Sequence, residues 1–320
     1  MAETSDVGLL KTGAVLHGGH ERELVVARGA DRVRFLHSIV TGDVAGTPVG
    51  GGARSALLTP KGHMVADLMI FARPEDLWIV VPAGQGDATA AALTRYAIMD
   101  DFAAVRKPGF TQLSVLGPAA GRALVEAGIV PSEAALPGPA TFAHADVETF
   151  GELWIVRVHE LGADGYWVAG AFDALAARHA LEAKVPELAA PAVEAARVVA
   201  LEGRWGAEIT PDYFPMEVGL TGAIDYTKGC YLGQEPIVRL RDRGHINWRL
   251  VQLEVSGEAS AGDALATDTK PKAGKITTAA RFPGGRAVAL AMLHVSVPVG
   301  GEVKVKHGDG ALDARVAQSV

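Results

Sequence analysis

The sequence predicts an α+β protein followed by a smaller all-β barrel or sandwich, and three observations predict it. Up to about Gly244, β-branched and apolar strand-like runs alternate with Ala-rich runs of helical period. A strand–helix–strands–helix order occurs there twice in succession. From about Arg249 only short alternating runs remain, split by Gly, Pro and Asp. The division falls between 1–244 and 245–320, and a chain of 320 residues is long enough for each part to bury its own core.

In chain order, the opening "MAETSDVGLLKTG" and the residues up to "LHGGH" read as a loose start. "ELVVARG" reads as a strand, and "ADRVRFLHSIV" as a helix with Val33, Leu36, His37 and Val40 at helical spacing. "ARSALLT", "MVADLMIFA" and "LWIVVP" follow as strands. The turn-forming "PKGH" and "RPED" between them predict an antiparallel meander. "GDATAAALTRYAIM" reads as a helix and "FAAVRK" as a short strand. The second block runs "TQLSVLG" (strand), "PAAGRALVEAG" (helix), "TFAHADV", "ELWIVRV" and "YWVAG" (strands), then "FDALAARHALEAK" (helix). The echo of "LWIVV" in "LWIVR" fits two related halves. "APAVEAARVVALEG" is a further helix broken at Gly203. The C-terminal strands are "RLVQLEV", "KAGKITTAARF", "RAVALAML", "EVKVKHG" and "ALDARVA".

Composition narrows the function classes. A net charge of −7 argues against coating nucleic acid or anionic membrane directly, since both require a basic surface. No apolar run reaches the roughly 18 residues that would span a bilayer, and the acidic start has no h-region. With 1 cysteine there is no internal disulfide, and a cytoplasmic setting is the expectation.

That cysteine, Cys230, lies in "TKGCYLGQE". A neighbouring cation such as Lys228 favours the thiolate, and Gly229 and Gly233 permit close backbone approach and unusual torsions. A small residue packed in a tight turn is the plainer alternative. The 10 histidines form no CxxC-, HxxxH- or HExxH-type set, so no protein-only metal site is expected; His17 and His20 of "LHGGH" belong to the loose start. "VGGGAR" lacks the spacing of a dinucleotide loop, and no GxSxG or P-loop is present. Two carboxylates stand out. Asp67 lies within the apolar strand "MVADLMIF", sharing a face with Val65 and Met69, and is costly there unless paired or wet. Glu202 closes a helix, where the macrodipole disfavours an anion, and Arg197 or Arg204 is a ready partner for it.

Together these segments resemble the YgfZ-type folate-binding proteins, relatives of the T-protein (aminomethyltransferase) of glycine cleavage. The signature is "KGCYLGQE", with Lys228, Gly229, Cys230, Tyr231, Gly233, Gln234 and Glu235 in place. "ADRVRFLHSIVTGDV", "LLTPKGHMVADLMIF", "VALEGRWGAEITPDYFPMEVGL" and "RDRGHINWRL" extend it over most of the chain. The resemblance implies a split α+β folate-binding portion and a C-terminal β-barrel around a central opening. It implies tetrahydrofolate as cofactor, with Glu202 accepting paired N–H bonds from the pterin. It places Asp67 near the reacting nitrogens and Arg249 on the glutamyl tail, where Lys228, Arg241 and Arg243 are further candidate cations; a solvated helix end is the plainer account of the last two. It implies a role in forming or repairing iron–sulfur enzymes, and through them in tRNA thiomethylation, with those proteins or their assembly factors as partners and Cys230 as the working thiolate. A folate-dependent one-carbon enzyme, an aminomethyltransferase or demethylase, is the alternative that Asp67 keeps open.

Overall fold

The computed structural model describes residues 3–19, 22–147, 149–282 and 287–320, and its fold is α+β with a C-terminal closed barrel. The chain divides into two compact units. One comprises Gly8–Leu188 and Gly222–Gln234; the other comprises the residues up to Val7, Ala189–Thr221 and Glu235–Val320.

The first unit is built on two five-stranded antiparallel sheets. Helix α1 (Glu3–Thr12) enters it and leads into β1 (Val15–Gly19). Next come β2 (Arg22–Arg28), α2 (Arg32–Ile39), β3 (Gly52–Leu58), β4 (Met64–Ala72), β5 (Leu77–Pro82), α3 (Gly86–Tyr96) and β6 (Ala103–Lys107). The series continues with β7 (Thr111–Leu116), α4 (Ala120–Glu126), β8 (Phe142–Val147), β9 (Gly151–Glu160), β10 (Ala163–Gly170) and α5 (Ala174–Glu182). One sheet has the order β3-β4-β5-β2-β6, the other β8-β9-β10-β7-β1. Period-2 burial puts Ala66, Leu68 and Ile70 of β4 on the face covered by Phe35, Leu36 and Ile39 of α2 and by Leu93 of α3. The second sheet repeats this, with Leu113, Val115, Ile155 and Val168 against Leu124 of α4 and Leu181 of α5. The opposite faces of the two sheets meet through aromatic edges: Trp78 lies 5.1 Å from Trp154, and Phe71 lies 5.5 Å from Phe142, centroid to centroid.

The two halves have the same strand order, but with one exchange. The position that β6 holds at the end of the first sheet is held in the second by β1, from the beginning of the chain. The described residues of the start are therefore ordered, contrary to the sequence expectation. Val15 and Leu16 are fully buried, and β1 pairs along its length with β7. His17 is buried with it, its Nε2 3.5 Å from Glu160; His20 lies outside the described residues. The "LWIVV" and "LWIVR" runs are β5 and β9, which hold different places in the two sheets, so that echo does not mark equivalent strands.

In the second unit, α6 (Ala190–Val199) is followed by two 3₁₀ turn segments, one of them Pro215–Val218, and by α7 (Gln234–Arg243), whose first residue belongs to the other unit. The barrel closes in the order β11-β14-β13-β12-β15-β16, from β11 (Trp248–Val255), β12 (Ala264–Ala266), β13 (Gly274–Arg281), β14 (Ala287–His294), β15 (Glu302–His307) and β16 (Gly310–Ser319). The alternating pattern alone left barrel and sandwich open, the resemblance implied the barrel that is found, and neither gave a sign of the three-residue β12 that completes closure. Val251, Leu253, Leu265, Ile276, Ala289, Ala291 and Val305 fill the interior. Among the described residues no helix is long and apolar enough to cross a membrane.

Candidate functional site

The motif at 228–235 is fastened to the first sheet by several residues. Lys228 Nζ donates to three backbone carbonyls where α2 ends: His37 (2.5 Å), Val40 (2.8 Å) and Gly42 (2.8 Å). An ammonium has three donors, and all three are engaged. Its positive charge also suits the carbonyl end of α2. Burial pushes the Lys228 ammonium down to about 8, against the opposing pull of Asp43 and Asp225. Asp225 Oδ1 accepts bonds from the Thr227 hydroxyl and from the backbone N–H groups of Thr227 and Lys228, which hold its carboxyl below the usual range. Thr41 continues the fastening. Its fully buried hydroxyl donates to the Ala223 carbonyl at 2.6 Å and accepts the Ala56 N–H at 2.8 Å.

Beyond Lys228 the chain turns inward. Tyr231 is buried, with the Lys228 ammonium 5.4 Å from its ring centroid, and Leu232 packs on the core under α2. Gly233 has φ +79°, and a Cβ there would stand 2.4 Å from the Thr59 carbonyl oxygen. Only glycine allows that conformation and that approach to the β3–β4 turn. Gln234 starts α7, and the exposed Glu235 pairs with Arg239 one turn on. Between these fixed points Gly229 and Cys230 are exposed, so the thiol is open to solvent. The expectation of a cation dedicated to the thiol meets a lysine whose donors are already used by backbone.

Asp67 is buried, on the face of β4 opposite the α2–α3 core. Arg54 of β3 holds it in a two-pronged pair, Nε to Oδ1 at 3.2 Å and Nη2 to Oδ2 at 2.9 Å. That pairing is the compensation a buried carboxylate requires. Arg54 escaped the sequence reading. The signal was the hairpin itself: folding β3 onto β4 about "TPKGH" brings Arg54 beside Met69, diagonal to Asp67.

Glu202 and Arg249 belong to the second unit. Helix α6 ends at Val199, not at Glu202 as its periodicity predicts. Leu201 adopts φ +57°, its N–H bonded to the Val198 carbonyl, and the Glu202 N–H bonds to the Arg197 carbonyl. This is a Schellman stop with leucine where glycine is usual, so the turn carries backbone strain. It is fastened from below. Arg197 Nη1 donates to the Glu202 carbonyl (2.7 Å) and to Glu208 (2.9 Å), and Nη2 donates to Thr278 of β13 (2.6 Å). Glu208, fully buried, accepts from Thr278 at 2.6 Å and from the Arg204 N–H at 3.0 Å. Both arginines expected to pair with the Glu202 carboxylate bond Glu194. The Glu202 side chain is half-buried on the resulting turn.

Arg249, half-buried in β11, donates through Nη2 to the Val297 carbonyl at 2.5 Å, and its buried Nε has no hydrogen-bond partner among the described residues. The preceding backbone is held by Glu217, a buried carboxylate that accepts from the N–H groups of Phe214, Asn247 and Trp248. Arg241 and Arg243 are exposed in the last turn of α7, with Arg241 paired to Asp242. Glu208 and Glu217 were also missed, although both stand in the segment "AEITPDYFPMEV" that the resemblance covered. Among the described residues no group of three or more His, Cys, Asp or Glu is placed to hold a metal ion.

Comparison with known proteins places these features in context. Residues 13–228 match the family model described as the GCVT N-terminal domain. Over 313 residues the chain is 26% identical to an aminomethyltransferase of Bacillus velezensis, covering 94% of this chain and 84% of that protein. Over 256 residues it is 26% identical to the tRNA-modifying protein YgfZ of Yersinia pseudotuberculosis, covering 79% and 74%. The crystal structure of glycine cleavage system aminomethyltransferase T from Bartonella henselae matches it with a TM-score of 0.84 at 22% identity, over 99% of this chain and 88% of that one. That likeness carries the fold, including the C-terminal barrel.

Proposed function

The chain belongs to the GCVT N-terminal domain family, and from that premise we propose that it is a tetrahydrofolate-binding accessory protein that supports iron–sulfur enzymes. The observation that carries the accessory reading is the exposed Cys230 thiol, set in a motif whose other residues are largely fastened to the fold. An accessible thiol is the soft ligand or nucleophile that a reactive partner requires. One thiolate cannot complete a cluster, so a partner protein supplies the remaining ligands. Iron–sulfur enzymes that thiomethylate tRNA are among the clients this reading implies.

The residues present fit a folate. Its pterin offers a planar amidine edge that a carboxylate meets with two parallel bonds, and Glu202 stands on a strained turn fixed by the buried Arg197–Glu208 pair. Its glutamyl tail is anionic, and the Nε of Arg249, without a hydrogen-bond partner among the described residues, is a donor suited to a carboxylate. With the Lys228 ammonium engaged by three carbonyls, the tail-holding role passes to Arg249 in this reading. Tetrahydrofolate, when bound, supplies the reduced ring nitrogens that carry one-carbon units.

Asp67 supports a second reading, a folate-dependent one-carbon enzyme such as an aminomethyltransferase. The acid is present and buried, and its partner Arg54 holds its orientation.

The test combines binding and complementation. Losing a charge-assisted contact to the pterin costs about 1.5–3 kcal/mol, so Glu202→Ala weakens tetrahydrofolate binding by about ten- to a hundredfold in calorimetric titration. In a strain deleted for the gene, Cys230→Ala keeps folate affinity but fails to restore iron–sulfur enzyme activity, while Asp67→Asn restores it. Wild-type affinity in Glu202→Ala would remove the pterin assignment. Full complementation by Cys230→Ala, with failure of Asp67→Asn, would favour the one-carbon enzyme.

A further inference from the structure

The two sheets of the first unit have four outer edges, and three of them carry a bridge. β1 is bridged at Leu16 by Glu187, β3 at Leu57 by Val40, and Thr141 beside β8 is bridged by Gly51. The exception is β6, which among the described residues pairs with β2 alone. A free edge presents a row of backbone donors and acceptors, which proteins usually blunt with charge, proline or cover. Here Ala103, Ala104 and Val105 carry no such device, and charge comes only with Arg106 and Lys107.

The surface around this edge is also apolar. Of the eight large hydrophobic residues exposed among the described residues, four fall between positions 96 and 105: Tyr96, Ile98 (83%), Met99 (93%) and Val105 (64%). Single exposed apolar residues are ordinary, but half of them within ten positions of one free strand marks a contact surface.

We propose that β6 is a self-association edge, at which two copies of this chain pair antiparallel about a twofold axis. The charge order of "DDFAAVRK" selects the occupant and the direction. A twofold antiparallel pair sets one residue opposite its own copy, and centring it on Ala104 brings Asp101 opposite Lys107 of the other copy at each end of the contact. Parallel pairing would set like charges side by side. Asp101 is held in place by the Ala30 N–H (2.8 Å). Arg106 is already bonded to Glu23, whereas Lys107 has no carboxylate partner among the described residues. A twofold contact uses the same patch on both copies, so one self-complementary strand is enough.

Sedimentation velocity tests this on the full chain from about 1 to about 200 μM, the range that reports a micromolar Kd. The expected result is a concentration-dependent monomer–dimer equilibrium. Val105→Lys, at an exposed side chain, leaves a monomer throughout. The paired change Ile98→Asp and Met99→Asp, which lies outside the strand, also leaves a monomer. Lys107→Glu weakens the dimer about tenfold at low salt and less at high salt. Circular dichroism and Tm check that each variant is folded. A wild-type chain monomeric over the whole range overturns the proposal, as does a dimer indifferent to both the Val105 and the Ile98/Met99 changes.

Discussion

Arg197→Met tests the foundation under Glu202. The guanidinium bonds Glu208 at 2.9 Å, Thr278 at 2.6 Å and the Glu202 carbonyl at 2.7 Å, and Glu208 has no exposed surface. Removing the cation leaves Glu208 as a buried carboxylate with only the Thr278 hydroxyl and the Arg204 N–H as donors. Breaking a buried pair from one side costs about 3–5 kcal/mol, because the surviving charge keeps its desolvation penalty. Urea unfolding followed by tryptophan fluorescence should register that loss. Arg197→Met combined with Glu208→Gln removes both charges and keeps an acceptor for Thr278 and Arg204, so at least half of the lost stability should return. Folate affinity should not return with it. The Glu202 carbonyl has still lost its donor, and the positive-φ Leu201 is free to relax into another turn. A loss below about 1 kcal/mol in the single variant, or a double variant no better than the single, would refute the argument.

Two further outcomes are expected. Gly233→Ala must place a Cβ 2.4 Å from the Thr59 carbonyl oxygen at φ +79°, so it should cost about 2 kcal/mol or more and lower Tm by several degrees in differential scanning fluorimetry; an unchanged Tm would show that the 228–235 segment is not packed as described. Glu160 accepts bonds from Ser114 (2.7 Å) and Trp167 Nε1 (3.1 Å). Burial alone would raise its carboxyl, but His17, Arg22 and Ser114 outweigh that and hold it at about 2, against an ordinary 4.5. A carboxyl depressed on folding stabilises the protein above pH 4.5, and the contribution is lost as pH falls toward 2. At 1.36 kcal/mol per unit it amounts to about 3 kcal/mol. Glu160→Gln should therefore be less stable at pH 7 and show a shallower fall in Tm between pH 5 and pH 2.5; parallel acid limbs for the two proteins would exclude Glu160 as their source.

Elements with a strong period were legible in the sequence, and elements defined by a partner were not. β4 and β5 announce themselves through apolar runs between turn residues, and the structure has them as β-meander strands. β1 is "VLHGG", with only two apolar side chains, and it is a strand because β7 lies on one side and Glu187 on the other. That pairing is long-range, so His17 was read as loose when it is buried. The end of α6 failed for a different reason. Val198, Val199, Ala200 and Leu201 are all acceptable in a helix, and no glycine appears until Gly203. The stop is imposed by Arg197 and Glu208 holding the following turn, which tertiary contacts enforce and local propensity does not record. Asp67 was recognisable as a buried acid, but its partner Arg54 could be identified only through the register of the hairpin.

The sequence motif "KGCYLGQE" shows how a signature can mix scaffold with chemistry. Lys228 closes the end of α2, Tyr231 and Leu232 enter the interior, and Gly233 lets the chain pass against the β3–β4 turn. Each of these residues is required by packing, by a positive φ or by unsatisfied carbonyls, whatever the protein does. Glycine at 229 differs from glycine at 233, since a Cβ there would meet nothing within 4 Å. Packing therefore leaves Gly229, Cys230, Gln234 and Glu235 unexplained; Gln234 and Glu235 open α7, while Gly229 and Cys230 are adjacent and exposed on the loop. A thiol that only filled space would be buried, where sulfur behaves as a small hydrophobe. An exposed thiol on a fixed loop, beside a residue with no side chain to obstruct it, is the arrangement a reacting partner can approach. The proposed role of Cys230 therefore rests on its exposure, and Lys228 holds the loop on which that thiol stands.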